Sequence, residues 1–175
     1  MNNNPNVFPQ KEIEQLPNSF YSHAEAIYHL NEVGIDIKQT RVADWLGVSR
    51  ANVSQVIGRM QNSGLVELGD DLMLTEKGSY LAKMISRRRR IVERFLSEIL
   101  DLPWDKVYRE TKNWENVLSP ITEEAMLKVL GNPTTGIFGN PIPYSGYFEG
   151  PMKTIPVLSN ASAKFEFSDK KPYPG

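Results

Sequence analysis

Residues 40–68 decide the fold, and they read TRVADWLGVSRANVSQVIGRMQNSGLVEL. The apolar spacing of this stretch predicts a short helix, a tight turn at Gly47-Val48 and a second helix over about Arg50–Asn62. Ser49 stands where an N-cap is needed, and Ser63-Gly64 closes the second helix. Two helices joined by so short a turn form a helix-turn-helix unit.

The sequence on either side adds a helix and a hairpin to this unit. An amphipathic pattern from Ser19 predicts a helix that ends before Gly34, and Thr40 is a candidate cap for the helix after it. Residues 65–68 and 72–74 flank a Gly-Asp-Asp turn and predict a short β-hairpin. This order of helix, short helix, turn, helix and two-stranded wing is that of a winged helix-turn-helix domain.

Side-chain sizes predict how the two central helices pack. The inward face of the second helix carries Val53, Val56, Ile57 and Met60. Ala43 is small where the two helices cross, Gly47 permits the turn, and Val48 is expected to fill the gap between the helices. The outward face of the second helix is left for contacts outside the domain.

That outward face is polar, and no acidic residue occurs from Ser49 to Gly64. Such a face suits the major groove of DNA, because DNA is a polyanion, whereas a face that only meets water usually mixes Glu and Lys. The predicted base-contacting residues are Ser49, Arg50, Asn52, Ser54 and Gln55. The predicted phosphate contacts are Thr40, Arg41 and Arg59. The alternatives are a face exposed only to water and a winged helix used for protein contact.

The pattern beyond the hairpin is helical as far as residue 130. Thr75 is a candidate cap for a long helix that Asp101–Trp104 breaks. The apolar stripe of this helix is formed by Leu81, Ile85, Val92, Phe95 and Ile99. Two shorter helices are predicted at about Asp105–Leu118 and Thr122–Leu130, and the segment after them, rich in Pro, Gly and aromatic residues, is expected to be extended or partly disordered. The predicted fold class is therefore mainly α.

The composition excludes several kinds of chemistry. The chain has 175 residues, a formal net charge of -1, no cysteine and two histidines. The lack of cysteine excludes disulfides, thiolate nucleophiles, iron–sulfur clusters and cysteine-containing zinc sites. His23 and His29 lie about 240° apart around a helix, so they cannot bind one ion together, and solvated or capping roles are expected.

Compartment and activity are also limited by what the sequence lacks. No stretch is apolar enough for a transmembrane span or for the core of a signal peptide, so a cytoplasmic protein is expected. No phosphate loop, nucleophile elbow or metalloprotease motif occurs, so the sequence predicts no enzyme.

Several motifs, in order, resemble those of the diphtheria-toxin-repressor family of metal-dependent transcriptional regulators. They are AIYHL, VADWLGVSRANVSQVIGRMQNSGLVEL, LTEKGSYLA, RRRRIVERFLSEILDLPWDKV, the WEN that follows, and GNPTT…GNPIP, and they span about residues 18–143. The resemblance implies a homodimer in which the helices after the wing build the dimer interface and hold divalent-metal sites. It also implies that metal binding drives binding to a roughly palindromic operator DNA.

Four regions follow from the pattern and the resemblance together. Residues 1–17 are expected to be a flexible arm, residues 18–75 the winged helix-turn-helix DNA-binding domain, and residues 76–143 an α-helical dimerisation domain. Residues 144–175 are a tail rich in proline and aromatic residues. Many family members carry a C-terminal SH3-like domain, and this tail is too short for a complete one.

The resemblance also assigns the family's metal-ligand positions to residues of this chain. These positions are Ser22, Arg89, Glu93, Tyr108, Lys112, Glu115 and Asn116. Only Glu93 and Glu115 keep the kind of side chain that the family uses as a ligand there. The resemblance therefore implies a metal site that has lost most of its donors.

The substituted positions place basic groups beside the two retained acids. Arg89 and Glu93 are four residues apart on a predicted helix, and Lys112 and Glu115 are three apart, so each pair shares a face. We interpret the basic groups as fixed cations in the space of the metal, which predicts a metal-independent repressor with no cofactor. The alternatives are ordinary surface ion pairs, a repressor that responds to Mn or Fe through a reduced site at Glu93 and Glu115, and a regulator in which Tyr144–Phe148 closes a small-molecule site.

Overall fold

The architecture is mainly helical with one small sheet, which confirms the predicted fold class. The computed structural model describes residues 15–115 and 117–146, apart from the side chain of Glu115. Its elements are α1 (Asn18–Glu32), α2 (Gln39–Leu46), α3 (Arg50–Asn62), β1 (Val66–Leu68), β2 (Leu72–Leu74), α4 (Glu76–Arg94), a π-helical turn (Phe95–Ile99), α5 (Trp104–Glu115) and α6 (Pro120–Val129).

The turn between α2 and α3 is built as the sequence predicts. Gly47 ends α2 with a φ of 66°, a conformation that glycine adopts without strain. Ser49 caps α3, because its Oγ accepts a hydrogen bond from the backbone N–H of Asn52 at 3.2 Å. The predicted bounds of α3 and its cap are both confirmed.

The start of α2 differs from the prediction. Thr40 is the second residue of this helix and not its cap, so the predicted capping role is wrong. The cap position is Lys38, whose carbonyl oxygen accepts hydrogen bonds from the N–H groups of Arg41 at 3.0 Å and Val42 at 3.2 Å. The helix therefore begins before Thr40, whose side chain is exposed.

The first hydrophobic core lies beneath the helix-turn-helix. All four predicted inward residues of α3 are buried: Val53, Val56, Ile57 and Met60. Ala43 is buried at the crossing of α2 and α3, next to Val42. Val48 was expected to fill this gap but is 38% exposed. Val42 and Ala43 already occupy the inner side of α2 at this point, so Val48 stays on the outside of the turn.

The wing is attached to the connection between α1 and α2. β1 and β2 pair antiparallel, with Val66 opposite Leu74. The N–H of Leu72 donates to the carbonyl oxygen of Ile37 at 3.0 Å. Beside it, Lys38 Nζ lies 2.6 Å from Asp71 Oδ1. These contacts hold the hairpin beside the helix-turn-helix.

The start of α4 lies directly against the wing. Thr75 Oγ1 accepts a hydrogen bond from the N–H of Gly78 at 3.1 Å and donates one to the carbonyl oxygen of Gly64 at 2.7 Å. A Cβ on Gly78 would lie 1.9 Å from the Leu65 carbonyl oxygen. The predicted cap Thr75 is confirmed, and glycine is required three residues later because no side chain fits there.

A second hydrophobic core joins α4, α5, α6 and the segment after α6. Its buried residues are Ile91, Val92, Leu96, Val107, Leu118, Met126 and Ile142. Ile99 was expected to continue the stripe of the long helix, but it is 44% exposed. The π-helical turn explains the difference, because the N–H of Leu100 bonds to the carbonyl of Phe95 at 3.2 Å and the wider turn rotates the next residues off the stripe.

The last two helices differ from their predicted bounds. α5 ends at Glu115 and not at Leu118, and α6 begins at Pro120 and not at Thr122. Ser119 caps α6, since its Oγ accepts the N–H of Thr122 at 3.2 Å, and proline suits the first helical position.

Residues 131–146, the described part of the stretch expected to be extended or partly disordered, form an irregular segment with internal hydrogen bonds and no helix or strand. The N–H of Gly136 donates to the carbonyl of Asn140, and the N–H of Ile142 to that of Thr134, both at 2.8 Å. Apart from residues 15–17 and 144–146, the predicted arm and tail lie outside the described residues. Among the described helices, none combines the length and the apolar character needed to cross a membrane.

Candidate functional site

The residues predicted to contact DNA are all exposed on α2 and α3. Thr40 and Arg41 lie in the first turn of α2. The five predicted base-contacting residues, between Ser49 and Gln55, lie at the cap and in the first two turns of α3. Because the opposite face of α3 is buried in the first core, its N-terminal half is a rigid polar surface. This surface has the residue types and the exposure that a groove of DNA requires.

Arg59 is exposed, but it also contacts α1. Its guanidinium carbon lies 5.6 Å from the centroid of the Phe20 ring, and Nη2 lies 3.5 Å from Ser19 Oγ. The cation–π contact positions the guanidinium at the junction of α1 and α3. The sequence predicted a phosphate contact for Arg59 and missed this second role, because helical periodicity says nothing about a neighbouring helix.

Residues 87–90 of α4 are four successive arginines that are paired inside the protein. Arg87 Nε lies 2.5 Å from Glu123 Oε1, and Arg88 Nε lies 3.5 Å from Glu123 Oε2. Arg87 also donates to the carbonyl oxygen of Pro143 at 2.8 Å. One buried carboxylate of α6 therefore serves two guanidinium groups of α4. The sequence missed this role, because an acid at the start of a helix is ordinarily a solvated charge.

Arg90, the last of these four, and Arg94 hold the segment 131–146. Arg90 Nη2 lies 2.6 Å from Glu32 Oε2 of α1, and the same guanidinium donates to the carbonyl oxygen of Pro141. Arg94 donates to the carbonyl oxygen of Thr135 at 2.8 Å. No sequence signal identifies such partners, because every residue carries a backbone carbonyl.

A cavity of about 110 Å³ lies between α1, α2, α4 and the segment 131–146, and we name it the arginine cavity. Its charged lining comes from Glu25, Arg89, Arg90 and Glu93, and its aromatic lining from His29, Trp45 and Phe138. Arg89 Nη1 lies 3.0 Å from Glu25 Oε1. The cavity thus contains two of the predicted metal-ligand positions, Arg89 and Glu93, and an acid of α1 that the sequence did not single out.

Among the other predicted metal-ligand positions, Ser22, Tyr108 and Lys112 do not line this cavity. Ser22 is partly buried, and its hydroxyl donates to the Ser19 carbonyl at 3.2 Å. Lys112 is exposed, with Nζ 4.7 Å from the centroid of the partly buried Tyr108 ring. The side chain of Glu115 and residue Asn116 lie outside the described part, so the pair of Lys112 with Glu115 stays a prediction.

His23 is buried and His29 is partly exposed, and neither is a helix cap. His23 is 3% exposed, and its Nδ1 lies 2.7 Å from the Ser19 carbonyl oxygen. The ring of His29 stacks on Trp45 with centroids 4.6 Å apart. Burial lowers the pKa of both imidazoles, so both favour the neutral form. The predicted solvated role is wrong for His23, because packing between helices buries its ring, whereas His29 keeps 31% of its side chain exposed. The capping role is wrong for both, because the cap positions of α1 are Pro17 and Val33.

The donors that the structure describes do not fit a divalent ion. Within residues 15–115 and 117–146, no three His, Asp or Glu side chains form a group that could hold a metal. In the arginine cavity, the carboxylates of Glu25 and Glu93 share the space with the guanidinium of Arg89. A second cation there would be repelled by the first.

The fold and the exposed α3 surface define a class, namely winged-helix DNA-binding proteins with a second helical domain. Residues 22–72 match the family model of the iron dependent repressor N-terminal DNA binding domain. Residues 75–144 match that of the iron dependent repressor metal binding and dimerisation domain. The chain belongs to the iron-dependent repressor family, which confirms its resemblance to the diphtheria toxin repressor.

Named relatives agree with this assignment. The iron-dependent repressor IdeR of Mycobacterium tuberculosis is 41% identical over 133 residues, covering 75% of this chain and 58% of the relative. The diphtheria toxin repressor of Corynebacterium diphtheriae is 36% identical over 133 residues, covering 75% and 59%. The solved structure of the manganese regulator SloR has a TM-score of 0.66 at 28% identity, covering 76% of this chain and 62% of that one. The chain thus spans about three fifths of these curated relatives.

The comparisons overturn the prediction that the protein uses no cofactor. The domain matched by residues 75–144 is a metal-binding domain, and the relatives are named as iron-dependent or manganese regulators. The metal-responsive alternative therefore fits better than metal independence. The prediction failed because it equated substitutions at single aligned positions with loss of binding, whereas hard cations also accept carbonyl oxygens and donors from other positions.

Proposed function

We propose that the protein is a homodimeric transcriptional repressor that binds operator DNA in response to a divalent ion, Mn(II) or Fe(II). The observation that carries this proposal is the exposed, acid-free start of α3 in a domain that matches a DNA-binding family model. The match to a metal binding and dimerisation domain supports the dimer and the ion. On this proposal the protein is a binding protein and not an enzyme, and it acts in the cytoplasm.

In this proposal, residues 18–75 bind DNA and α3 enters the major groove. The side-chain amides of Asn52 and Gln55 suit adenine, and the guanidinium fork of Arg50 suits guanine. Ser49 Oγ accepts the N–H of Asn52, and its own hydroxyl hydrogen can still be donated to a base or phosphate. The remaining contacts are Ser54 to a base and Thr40, Arg41 and Arg59 to phosphates.

Residues 76–143 form the dimerisation part in this proposal, and the regulatory ion binds the same part of the chain. The ion would supply a positive charge that gathers carboxylate and carbonyl oxygens. Glu115, on α5, is the retained acid that we propose as one donor. The residues of the arginine cavity do not complete this donor set, because Arg89 already carries the positive charge there.

The test is DNA binding by metal-stripped protein, measured by fluorescence anisotropy on genomic fragments that the protein selects. Mn(II) or Fe(II) is expected to tighten binding at least about tenfold, within the usual range of allosteric coupling, and Mg(II) is not. The double variant Asn52→Ala with Gln55→Ala is expected to lose the preference for the selected fragment.

Two results would contradict the proposal separately. Equal affinity with and without Mn(II) and Fe(II) would refute the metal response. Equal affinity for selected and random DNA, in the presence of the ion, would refute operator recognition and favour a protein-interaction role for the winged helix.

A further inference from the structure

The arginine cavity brings together two pairs of side chains from facing helices. Glu25 and His29 are four residues apart on α1, and Arg89 and Glu93 are four residues apart on α4, so each pair shares one face of its helix. Two carboxylates and an imidazole are donors that Mn(II) and Fe(II) accept. In the described structure these donors do not form a group that could hold an ion, and the guanidinium of Arg89 lines the same cavity.

The Arg89 guanidinium is well placed to act as the counter-charge of this cavity. Its Nη1 lies 3.0 Å from Glu25 Oε1, and the two side chains are only 24% and 13% exposed. Glu93 lines the same cavity one turn further along α4. A carboxylate that is shielded from water requires a nearby positive charge, and Arg89 supplies that charge from within the chain.

Two guanidinium groups, those of Arg89 and Arg90, line the cavity beside the imidazole of His29. Burial lowers the pKa of His29, and the charges of Arg90 and Arg89 lower it further, against the opposite effect of Glu32. The positive charges of Arg89 and Arg90 also repel a divalent ion in the same cavity. Removal of one guanidinium is therefore the change that would admit an ion.

The Arg89–Glu25 ion pair also links the two domains. α1 belongs to the first core, with α2, α3 and the wing, whereas the C-terminal half of α4 belongs to the second core. An ion held between acids of α1 and α4 would tie these helices together, and the guanidinium makes the same tie without an ion.

We propose that Arg89 is a built-in cation that keeps divalent ions out of the arginine cavity and replaces the link that such an ion would make between Glu25 and Glu93. This inference rests on the proposed function, because it states that the regulatory ion binds elsewhere in the chain. The Arg89–Glu25 contact between α1 and α4 is then made with or without the regulatory ion, and binding of that ion controls a contact elsewhere in the chain.

The test counts the Mn(II) ions bound per chain by metal-stripped protein, from the electron paramagnetic resonance signal of the free ion. Arg89→His is expected to bind one ion more than the wild type, because it removes the guanidinium and adds an imidazole donor to the cavity that Glu25 and Glu93 line. Arg89→Lys keeps the charge and is the matched control, with the same count as the wild type. Adding Glu93→Gln to Arg89→His is expected to remove the extra ion.

Two outcomes would overturn the inference. The first is an Arg89→His protein that is folded by circular dichroism and binds no extra ion. The second is a wild-type protein that loses one bound ion on Glu25→Gln, a result that does not depend on the folding of any Arg89 variant. A wild type that binds no Mn(II), beside an Arg89→His protein that binds one, would refute the proposed function and support the role of Arg89.

Discussion

At the scale of single residues, His23 shows how burial changes the chemistry of one side chain. The imidazole lies on the inner side of α1, where Ser19 provides a carbonyl oxygen and Arg59 a nearby positive charge. Burial is the largest cause of its lowered pKa; the hydrogen bond to Ser19 opposes the shift, and Arg59 adds to it. The folded protein therefore takes up a proton at His23 less readily than the unfolded chain does.

This difference predicts a pH-dependent stability. The unfolded chain binds the proton near the ordinary value of 6.5, whereas the folded protein binds it only at lower pH. The contribution of His23 to the free energy of unfolding is therefore expected to be fully present above that value. It is expected to decrease as the pH drops from there to the folded pKa. Melting temperatures at about pH 7.5 and about pH 5.5 measure the loss. His23→Gln should show a smaller difference between the two, and an unchanged difference would count against this explanation.

Gly78→Ala tests the close approach of α4 to the wing. A Cβ there would lie 1.9 Å from the Leu65 carbonyl oxygen, so the backbone of the wing must move. We expect a loss of at least about 2 kcal/mol in the free energy of unfolding, measured by urea denaturation. Gly58→Ala is the control on α3, because nothing lies within 4 Å of its Cβ. That change should leave the free energy of unfolding unchanged or raise it by about 0.5–1 kcal/mol.

At the scale of elements, α4 organises the molecule through its arginines. The helix contributes its N-terminal half to the first core and its C-terminal half to the second. Arg87 and Arg88 connect it to α6, Arg89 and Arg90 connect it to α1, and Arg94 connects it to the segment 131–146. Each of these bonds orients a neighbouring element, so the arginine run has a structural role.

Glu123→Ala tests the connection of α4 to α6. It leaves Arg87 and Arg88 without their shared carboxylate in a region where these side chains are largely buried, which should cost about 3 kcal/mol in the free energy of unfolding. Glu124→Ala is the matched control, because Glu124 pairs with Lys128 and both side chains are 69% exposed. This variant should lower the free energy of unfolding by less than about 0.5 kcal/mol. Similar losses for both variants in chemical denaturation would contradict the assignment.

At the scale of the whole molecule, the proposed homodimer presents two copies of α3 to one operator. Two recognition helices of a dimer read half-sites one or more helical turns apart, about 10 bp for each turn. Each phosphate contact made by one chain is then made twice per operator, and this doubling is measurable.

Arg41→Ala is expected to reveal the doubling in the salt dependence of DNA binding. Each lost phosphate contact lowers the magnitude of the slope of log K against log salt by about 0.9. For a dimer, which loses two contacts, the magnitude of the slope should therefore fall by about 1.8. Arg109→Ala, an exposed residue on α5, is the control and should leave the slope unchanged. A decrease of about 0.9 would indicate that a single chain binds, and no decrease would remove Arg41 from the contact surface.

Much of the local structure follows from the residues themselves. Ser49 and Thr75 cap helices where the sequence predicts, because a cap depends on the next three residues only. Thr40 was misplaced because Lys38 can begin a helix through its backbone carbonyl alone. The exposed residues of the proposed DNA-binding surface were predictable for a similar reason, since helical periodicity separates an inner from an outer face.

The partners of the charged residues were not predictable in this way. Glu123 lies 36 residues from Arg87, and Glu32 lies 58 residues from Arg90, so no local pattern connects them. Helical spacing paired Arg89 with Glu93, whereas packing of α1 on α4 adds an ion pair of Arg89 with Glu25. The sequence alone determined the winged helix-turn-helix, its polar recognition face and its family. Which acids neutralise the arginines was set by helix packing, because it depends on which helices meet.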